Sequence, residues 1–371
     1  MKLEPPMILR TPRSIDIEIT GRCNLLCSYC SHFTSPGEVE KDLPSEDWLR
    51  FFKELNRCKV TNVCLSGGEP FYREDLKELI SGIVSNRMRF SILTNGTLIS
   101  KEMAEYIAST RRCDYVQVSI DGSRPKTHDA FRGKGSFMRA IRGVRRLLHY
   151  KNPVTVRATI HRENIEDLEN IARLLLEDIG LPSFSTNSAA YLGLCRQKTD
   201  DLILTPREHS TAIEVLSRLQ KRYKGRIIAQ AGPLANKKMW KEMIEAKAKG
   251  LDGPEGGGHL SSCNSLVGRM AVRADGVMIP CSHLAHIELG SINTDDLQQV
   301  WLHHPELERL RARTQIPLNK FQFCQGCGYV NYCRGGCPAV AYAKIGRDDH
   351  PNPESCLIKF LEDGGRLPQC I

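Results

Sequence analysis

The sequence predicts an α/β fold in which a partial (β/α)6 barrel of the TIM type precedes a cysteine-rich C-terminal domain. Over the first two hundred residues, short apolar β-branched runs alternate with amphipathic stretches, which is typical of parallel βα units. We count six such units, fewer than the eight of a closed barrel. After the glycine-rich stretch 250–258, seven cysteines occur from Cys263 to Cys356, and this change of composition predicts a second domain.

The elements of the barrel follow from the periodicity of the apolar residues. Apolar β-branched runs predict six strands, at 15–20, 60–65, 89–93, 115–120, 154–160 and 182–186. A helix begins near Ser45, which suits an N-cap and is followed by acidic residues. Further helical patterns cover 73–84, 100–109, 136–148 and 164–178. We therefore divide the chain into an N-terminal extension (1–13), the barrel (14–204), a helical linker (205–254) and the C-terminal domain (255–371), which opens with a hairpin signal at Ala274-Asp275-Gly276.

Composition and charge exclude several classes of protein. The 371 residues are 26% charged and 41% hydrophobic, as in ordinary globular proteins, and the net charge of +9 is spread along the chain rather than gathered in a nucleic-acid patch. No apolar run approaches the length of about 18 that a membrane span needs, and the first residues lack a signal-peptide core. We therefore predict a cytoplasmic protein without membrane or nucleic-acid partners. The 15 cysteines, an odd number without an export signal, favour metal ligation over a disulfide framework.

Three cysteines follow the first predicted strand in the spacing C-x3-C-x2-C. Cys23, Cys27 and Cys30 lie where a barrel carries its active-site loops. A four-iron cluster normally takes four cysteines, so three would leave one iron open to bind another molecule. Zinc is the competing metal, but three thiolates do not close a structural zinc site.

The run Ser66-Gly67-Gly68-Glu69-Pro70 follows the second strand. These two motifs, in this order, resemble the radical S-adenosylmethionine (SAM) superfamily. The resemblance implies one [4Fe–4S] cluster on the three cysteines, with SAM chelating the open iron through its amino and carboxylate groups. It also implies reductive cleavage of SAM to a 5′-deoxyadenosyl radical, with an electron donor such as flavodoxin or ferredoxin.

The same resemblance implies a set of SAM contacts. Tyr29 matches an aromatic position near the adenine, the Ser66–Pro70 run faces the ammonium group, and Ser119 and Asp121 match ribose-facing positions. Each assignment has a simpler alternative, because Tyr29 could fill a gap, Asp121 could form a turn and Arg132 could make a surface salt bridge. The residues implied to bind SAM are Tyr29, Gly67, Gly68, Glu69, Asn95, Ser119, Asp121 and Arg132.

The C-terminal cysteines resemble the seven-cysteine SPASM domain in spacing as well as number. Cys263 is followed by twelve residues, Gly276, four residues and Cys281. The resemblance implies one auxiliary [4Fe–4S] cluster closed by Cys324, Cys327, Cys333 and Cys356, and a second held by Cys263, Cys281 and Cys337. The fourth position of the second cluster is open, or is filled by His259, a distant cysteine or the substrate. A single zinc site with spare thiols is the alternative.

Two of the remaining cysteines carry a catalytic hypothesis. Some peptide epimerases of this superfamily use a cysteine as hydrogen-atom donor, and we assign that role to Cys195 or Cys370, with a structural cysteine as the alternative. Cys58, Cys64 and Cys113 lie beside apolar runs and are interpreted as core residues.

The resemblance favours a maturase of a ribosomally made peptide that forms a thioether, a carbon–carbon crosslink or an epimer. Only thirteen residues precede the first strand, too few for a peptide-recognition domain, so we expect a separate leader-peptide-binding protein. One alternative is an anaerobic sulfatase maturase forming formylglycine, although Ser282 stands where that group carries an aspartate base. Tetrapyrrole side-chain modification is a second alternative. An iron–sulfur electron carrier is the non-enzyme alternative, but a carrier has no use for the Ser66–Pro70 motif.

Overall fold

Parallel strands that follow one another in chain order form the wall of the barrel. The computed structural model describes residues 8–33, 41–254, 256–263 and 265–368. In these residues one sheet runs in the order β10-β9-β8-β1-β2-β3-β4-β5-β6-β7 and does not close on itself, which confirms the predicted partial barrel. Its parallel wall consists of β1 (Ser14–Thr20), β2 (Asn62–Gly67), β3 (Arg89–Thr94), β4 (Cys113–Ser119), β5 (Val154–Ile160), β6 (Phe184–Ser188) and β7 (Ile227–Ala229).

Helices connect these strands and continue into the C-terminal region. The barrel helices are α1 (Ser45–Arg57), α2 (Leu76–Ser85), α3 (Lys101–Thr110), α4 (Pro125–Arg132), α5 (Ser136–His149) and α6 (Leu168–Arg173), the last of which continues as a π-helical turn over Leu174–Asp178. The later helices are α7 (Thr199–Leu202), α8 (Pro206–Arg222), α9 (Pro233–Ala248), α10 (Ser265–Gly268), α11 (Leu297–His303), α12 (Pro305–Arg311), α13 (Pro338–Ile345) and α14 (Leu357–Glu362).

Alternation along the strands separates an apolar outer face from a polar inner face. On β1, Ile15, Ile17 and Ile19 are fully buried in the same core as Trp48 and Phe51 of α1. Burying each such side chain contributes about 1.5–3 kcal/mol relative to exposure. The intervening residues of β1 point to the opposite, concave face, where polar groups line the interior of the barrel. The apolar face therefore holds the fold together, while the concave face is free to form a site.

The C-terminal domain extends the barrel sheet. β8 (Arg269–Val272) pairs in parallel with β1, and β9 (Val277–Ile279) pairs with β8 in an antiparallel hairpin, as the Ala274-Asp275-Gly276 signal predicts. β10 (Gly290–Ser291) adds to β9 at the edge. Because backbone hydrogen bonds join β8 to β1 and β9 to β8, Cys281, which follows β9, has a fixed position relative to the barrel sheet.

Two elements go beyond the predicted pattern. The linker 205–254 contains α8 and α9, and between them β7, which pairs with β6 in parallel. β7 has three residues, too few to produce a periodic signal. α4 begins at Pro125 and ends at Arg132, and it carries that arginine to the barrel mouth. Within the described ranges, no helix combines the length and apolarity that crossing a lipid bilayer requires.

Candidate active site and metal centres

The three N-terminal cysteines lie in the loop that leaves the carboxyl end of β1. Cys23, Cys27 and Cys30 are partly accessible, and the loop turns where the Cys30 N–H donates to the Cys27 carbonyl at 3.1 Å. A later segment covers this loop, because the Leu194 N–H donates to the Cys30 carbonyl at 2.8 Å. Gly193 makes this contact possible, since a Cβ there would lie 2.3 Å from the same oxygen.

The thiols of this loop interact with one another. Burial is the main reason that the pKa of Cys23 is raised to about 11 and that of Cys27 to about 12, and the charge of Cys30 contributes to both values. Binding of iron must therefore displace thiol protons. Among the residues that the structure describes, no three His, Cys, Asp or Glu side chains converge on a position for a single metal ion. In a four-iron cluster each thiolate binds a different iron, and three neighbouring thiols on one loop fit that donor set.

The loop after β2 is locked against the cysteine loop. The Gly68 N–H donates to the Thr20 carbonyl at 2.8 Å, and the Glu69 N–H donates to the Arg22 carbonyl at 2.9 Å. A Cβ at Gly68 would lie 2.1 Å from the Arg22 carbonyl oxygen, and Gly67 adopts φ +118°, which favours glycine. The close approach that these glycines permit is therefore to the cysteine loop. Their contact with SAM stays a prediction.

Glu69 ties the end of β2 to the end of β3. Its carboxylate is fully buried and accepts hydrogen bonds from Thr94 Oγ1 (2.6 Å), the Asn95 N–H (2.7 Å) and the Phe71 N–H (3.1 Å). Burial raises the pKa of Glu69 to about 7 against the effect of these donors. The Asn95 side chain donates in turn to Asn24 Oδ1 at 2.9 Å and lies 3.9 Å from Cys23 Sγ. The structure thus brings Glu69 and Asn95 to the edge of the cysteine loop.

Asp121 organises the opposite edge of that loop. The carboxylate is fully buried and accepts hydrogen bonds from the Tyr29 hydroxyl, from Arg132 Nε and from the Thr159 N–H, the last at 2.6 Å. Burial works to raise the pKa of Asp121, but the charges of Arg132 and His128 and the hydrogen bonds from Tyr29 and Arg132 together outweigh it, so the pKa lies below its usual value. The guanidinium of Arg132 lies over the Tyr29 ring at 5.5 Å, and its Nη1 is 3.8 Å from Cys27 Sγ. Ser119, the last residue of β4, is half-buried and pairs with Arg157 of β5.

His161 completes an aromatic wall beside this network and was not among the predicted residues. Its ring is fully buried, with its centroid 5.4 Å from that of Tyr29 and 4.2 Å from that of Phe131. Burial lowers the pKa of His161 to about 4, so the ring is neutral at physiological pH. The available signal was its position, because it directly follows the fifth predicted strand.

A second polar group lies on the concave side, next to the cysteine loop. Glu18 of β1 is buried, and its Oε1 lies 3.5 Å from His32 Nδ1. The His283 side chain is exposed, and desolvation by the surrounding protein lowers its pKa while the Glu18 charge acts in the other direction. Sequence reasoning missed these residues. Glu18 could have been noticed as an acidic residue inside an otherwise β-branched strand.

The four cysteines of the closed auxiliary site come together around one cavity. Cys324, Cys327, Cys333 and Cys356 line a cavity of ≈ 460 Å³. Burial, with a smaller contribution from the charges of the other three thiols, raises the pKa of Cys324 to about 12. The Lys359 N–H donates to Cys356 Sγ at 3.5 Å at the start of α14. Four thiols around one cavity fit a fully ligated cluster.

The three remaining auxiliary cysteines also assemble from distant segments. Burial, with smaller contributions from the charges of Cys337 and Cys263, raises the pKa of Cys281 to about 12. Cys337 lies at the start of α13, where burial raises its pKa although the N–H groups of that helix act to lower it. His259 Nδ1 lies 3.4 Å from the Gly257 carbonyl oxygen. The fourth ligand therefore stays a prediction.

Comparison with known protein families matches two parts of this chain. The model of the radical SAM superfamily matches residues 17–175, and the model of the SPASM iron–sulfur cluster-binding domain matches residues 263–328. This chain belongs to the radical SAM superfamily and carries an SPASM domain. The two matches include Cys23, Cys27 and Cys30 and the first four C-terminal cysteines, and together they imply iron–sulfur clusters and SAM binding.

The relatives of this radical SAM chain act on different substrates. An Fe-coproporphyrin III synthase of Methanosarcina barkeri is 29% identical over 357 residues, which are 92% of this chain and 87% of that protein. A PqqA peptide cyclase of Granulibacter bethesdensis is 27% identical over 365 residues, 96% of this chain and 88% of the cyclase. The structure of Streptococcus suis SuiB bound to precursor peptide SuiA has the same fold, with a TM-score of 0.72, 17% identity and coverage of 94% of this chain and 77% of SuiB.

Cys195 packs beside Tyr29 of the N-terminal cysteine loop. Its thiol is fully buried in one cluster with Tyr29, Ala189 and Leu202, and burial raises its pKa to about 11. The residue is therefore a protonated thiol behind the aromatic wall, and its role as hydrogen-atom donor stays a prediction. Cys370 lies outside the described residues.

Proposed function

We propose that this enzyme cleaves SAM reductively and uses the resulting radical to modify a side chain of a ribosomally made peptide. The observation that carries the proposal is the buried bridge between Cys27, Arg132 and Asp121 beside a polar barrel interior. A cation fixed at the edge of a three-thiol loop suits the carboxylate of a bound amino acid group, because charge-assisted hydrogen bonds to guanidinium are strong and directional.

The cysteine loop and the residues around it have distinct roles in the proposed reaction. Cys23, Cys27 and Cys30 hold the cluster, which when bound supplies the electron that cleaves SAM and so yields a radical able to remove a hydrogen atom from a substrate carbon. Asp121 keeps Arg132 charged and oriented, and the Tyr29 ring contacts both that guanidinium and the His161 ring. The wall excludes water from the reacting groups, which protects a radical from side reactions.

The polar interior handles the proton that a net oxidation releases. Glu18 Oε1 is buried, lies on the concave face and contacts His32. We assign this carboxylate as the acceptor of a proton from the substrate once a hydrogen atom has been removed. Cys324, Cys327, Cys333 and Cys356 would hold one auxiliary cluster and Cys263, Cys281 and Cys337 the other, and such a cluster would supply an acceptor for the electron that a net oxidation releases. A separate protein delivers the leader-bearing peptide.

Tetrapyrrole side-chain modification is the second candidate. Two observations favour it: the Fe-coproporphyrin III synthase relative, and Arg157, a cation of the inner face whose Nε donates to the neutral Ser185 Oγ at 3.3 Å. A guanidinium paired with a neutral hydroxyl is suited to bind a propionate carboxylate.

Anaerobic reconstitution tests the shared part of both candidates. The full chain is loaded with iron and sulfide, treated with SAM and dithionite, and assayed for 5′-deoxyadenosine. We expect about twelve irons per chain and SAM cleavage. The triple variant Cys23→Ala, Cys27→Ala and Cys30→Ala should lose about four irons and all cleavage. About four irons without cleavage in the wild type would support the electron-carrier alternative instead.

Substrate assays then separate the two candidates. Short peptides encoded beside the gene are incubated with the loaded enzyme and analysed by mass spectrometry, and Fe-coproporphyrin III is titrated spectroscopically in parallel. A mass change in a peptide with no spectral shift supports the maturase. A saturable spectral shift with porphyrin turnover and unmodified peptides would refute it in favour of tetrapyrrole chemistry.

A further inference from the structure

Arg313 is a buried cation with unused hydrogen-bond donors. It lies in the turn Ala312–Gln315, its side chain is 1% exposed, and its Nη1 donates to the Asp348 carbonyl oxygen. Its Nε and Nη2 have no hydrogen-bond partner among the described residues. An arginine remains protonated in proteins, and each unsatisfied buried donor costs about 1–3 kcal/mol. A buried group of this kind indicates a partner that binds there.

The Asp348 carboxylate is not that partner. Its two oxygens accept a bidentate pair of hydrogen bonds from Arg309, at 2.7 Å each. Arg313 therefore reaches only the backbone of Asp348, and its charge is not balanced by direct contact with an acidic side chain of the described chain.

Backbone hydrogen bonds place Arg313 beside the three-cysteine site. The Ile316 N–H donates to the Arg313 carbonyl at 2.9 Å, and the Leu260 N–H donates to the Ile316 carbonyl at 3.0 Å. The Ser261 N–H donates to the Arg334 carbonyl at 2.9 Å. The segment that leads to Cys263 therefore lies between the Arg313 turn and the segment that leads to Cys337, and the charges of both thiols act on the guanidinium.

We propose that Arg313 is the positioning cation of the cluster held by Cys263, Cys281 and Cys337, to which its Nε and Nη2 donate hydrogen bonds. The anionic thiolates and sulfides of a bound cluster supply the acceptors and the negative charge that Arg313 lacks. Hydrogen bonds and positive charge near a cluster favour its reduced form. This role goes beyond the proposed reaction and does not depend on the substrate.

The four-cysteine site has a different electrostatic environment. Its nearby cations, Lys359 and Arg334, are exposed, and Lys359 pairs with Asp363 at 2.8 Å. Exposed charges are screened by salt and water, whereas a buried guanidinium is not. The three-cysteine cluster should therefore have the higher reduction potential of the two and accept an electron first.

The test is a redox titration followed by electron paramagnetic resonance on the full chain, in the triple variant that lacks the SAM-loop cysteines. Only the two auxiliary clusters then contribute signals. The variant Arg313→Met removes the charge, Arg313→Lys keeps it, and Arg311→Met is the matched control. Arg311 is also buried, and its Nη2 has no partner among the described residues, but its Nε and Nη1 donate to the Leu266 and Trp301 carbonyls at 2.8 and 2.7 Å.

We expect Arg313→Met to lower the ratio of reduced to oxidised three-cysteine cluster at least tenfold at a fixed potential, which corresponds to 59 mV for a one-electron couple. The ratio of reduced to oxidised four-cysteine cluster should change less than twofold, so this cluster serves as an internal reference. Arg313→Lys should retain most of the wild-type ratio, and Arg311→Met should leave both ratios unchanged.

Stability measurements keep the test decisive if the loaded variant is unstable. The proposed role predicts that Arg313→Met destabilises the iron-loaded protein but not the iron-free protein, because the unsatisfied donors are a cost only without the cluster. Loss of about four irons from Arg313→Met, with the iron-free protein intact and Arg313→Lys fully loaded, has the same meaning. An unchanged ratio with full iron content overturns the proposal, and so does an equal loss of stability in both forms with no change in ratio.

Discussion

Among the electrostatic contacts of the barrel mouth, the Asp121–Arg132 pair should cause the largest loss of stability when one partner is replaced. Both side chains are buried, and Arg132 also contacts Cys27 Sγ. Asp121→Asn removes the negative charge and leaves Arg132 uncompensated, which costs about 3–5 kcal/mol when one partner of a buried ion pair is lost. The measurement is the free energy of unfolding of the iron-free protein in urea under anaerobic, reducing conditions.

Asp167→Asn provides the matched control. The Asp167 carboxylate is also buried, but it accepts its hydrogen bonds from uncharged donors, Ser123 N–H (2.7 Å), Ser123 Oγ (2.6 Å) and Thr127 Oγ1 (2.6 Å). Loss of these bonds should cost about 1–2 kcal/mol. The double variant Asp121→Asn/Arg132→Met should be more stable than Asp121→Asn alone, because removal of both charges leaves no uncompensated ion. The reasoning is refuted if Asp121→Asn lowers the free energy of unfolding no more than Asp167→Asn does. It is also refuted if the loss in the double variant equals the sum of the losses in Asp121→Asn and Arg132→Met.

Three further predictions concern the cysteine loop, the auxiliary clusters and the pH dependence of stability. Gly68→Ala should lower the iron content by about four, because its Cβ would lie 2.1 Å from a backbone oxygen of the cysteine loop. Gly268→Ala, which has open space around it, should keep all irons, and equal iron counts in the two variants would contradict this prediction. Cys356→Ser should lower the iron content, while Cys58→Ser, a buried core position, should not, and full iron in both variants would exclude Cys356 as a ligand. Burial lowers the pKa of His161 to about 4. Between about pH 6.5 and pH 4 the unfolded chain therefore binds a proton at this residue that the folded chain does not, and the free energy of unfolding falls as the pH decreases through this range. His161→Phe should remove this share, so that its stability relative to wild type improves by about 2 kcal/mol between pH 7 and pH 5, and parallel stability curves would show that the folded imidazole is not held neutral.

Much of the fold could be predicted because it follows from local periodicity. Six predicted strands correspond to β1–β6, since β-branched runs of five to seven residues produce a clear signal. β7 has only three residues and could not be found this way. The union of β8 with β1 was also beyond reach, because it depends on pairing between Ser14 and Arg269, residues far apart in the chain.

Some residues of the candidate site could likewise be predicted from the sequence, whereas others could be found only in the structure. The spacing of Cys23, Cys27 and Cys30 was legible because one short loop carries all three thiols. His161 and Glu18 escaped notice because a single histidine or glutamate has no spacing to recognise. Arg132 was assigned through resemblance, but its bond to Asp121 and its approach to Cys27 required the folded chain.

The sequence by itself determined the family, the barrel and the candidate cysteine ligands, because each follows from residue types that recur at short spacings along the chain. Only the tertiary structure decided which charges meet. Arg132 lies 105 residues from Cys27, and Arg313 reaches the three-cysteine site through hydrogen bonds between three separate segments. Such contacts depend on how strands pair and helices pack across the whole sheet, and burial then gives a pairwise charge interaction a strength that no local pattern encodes.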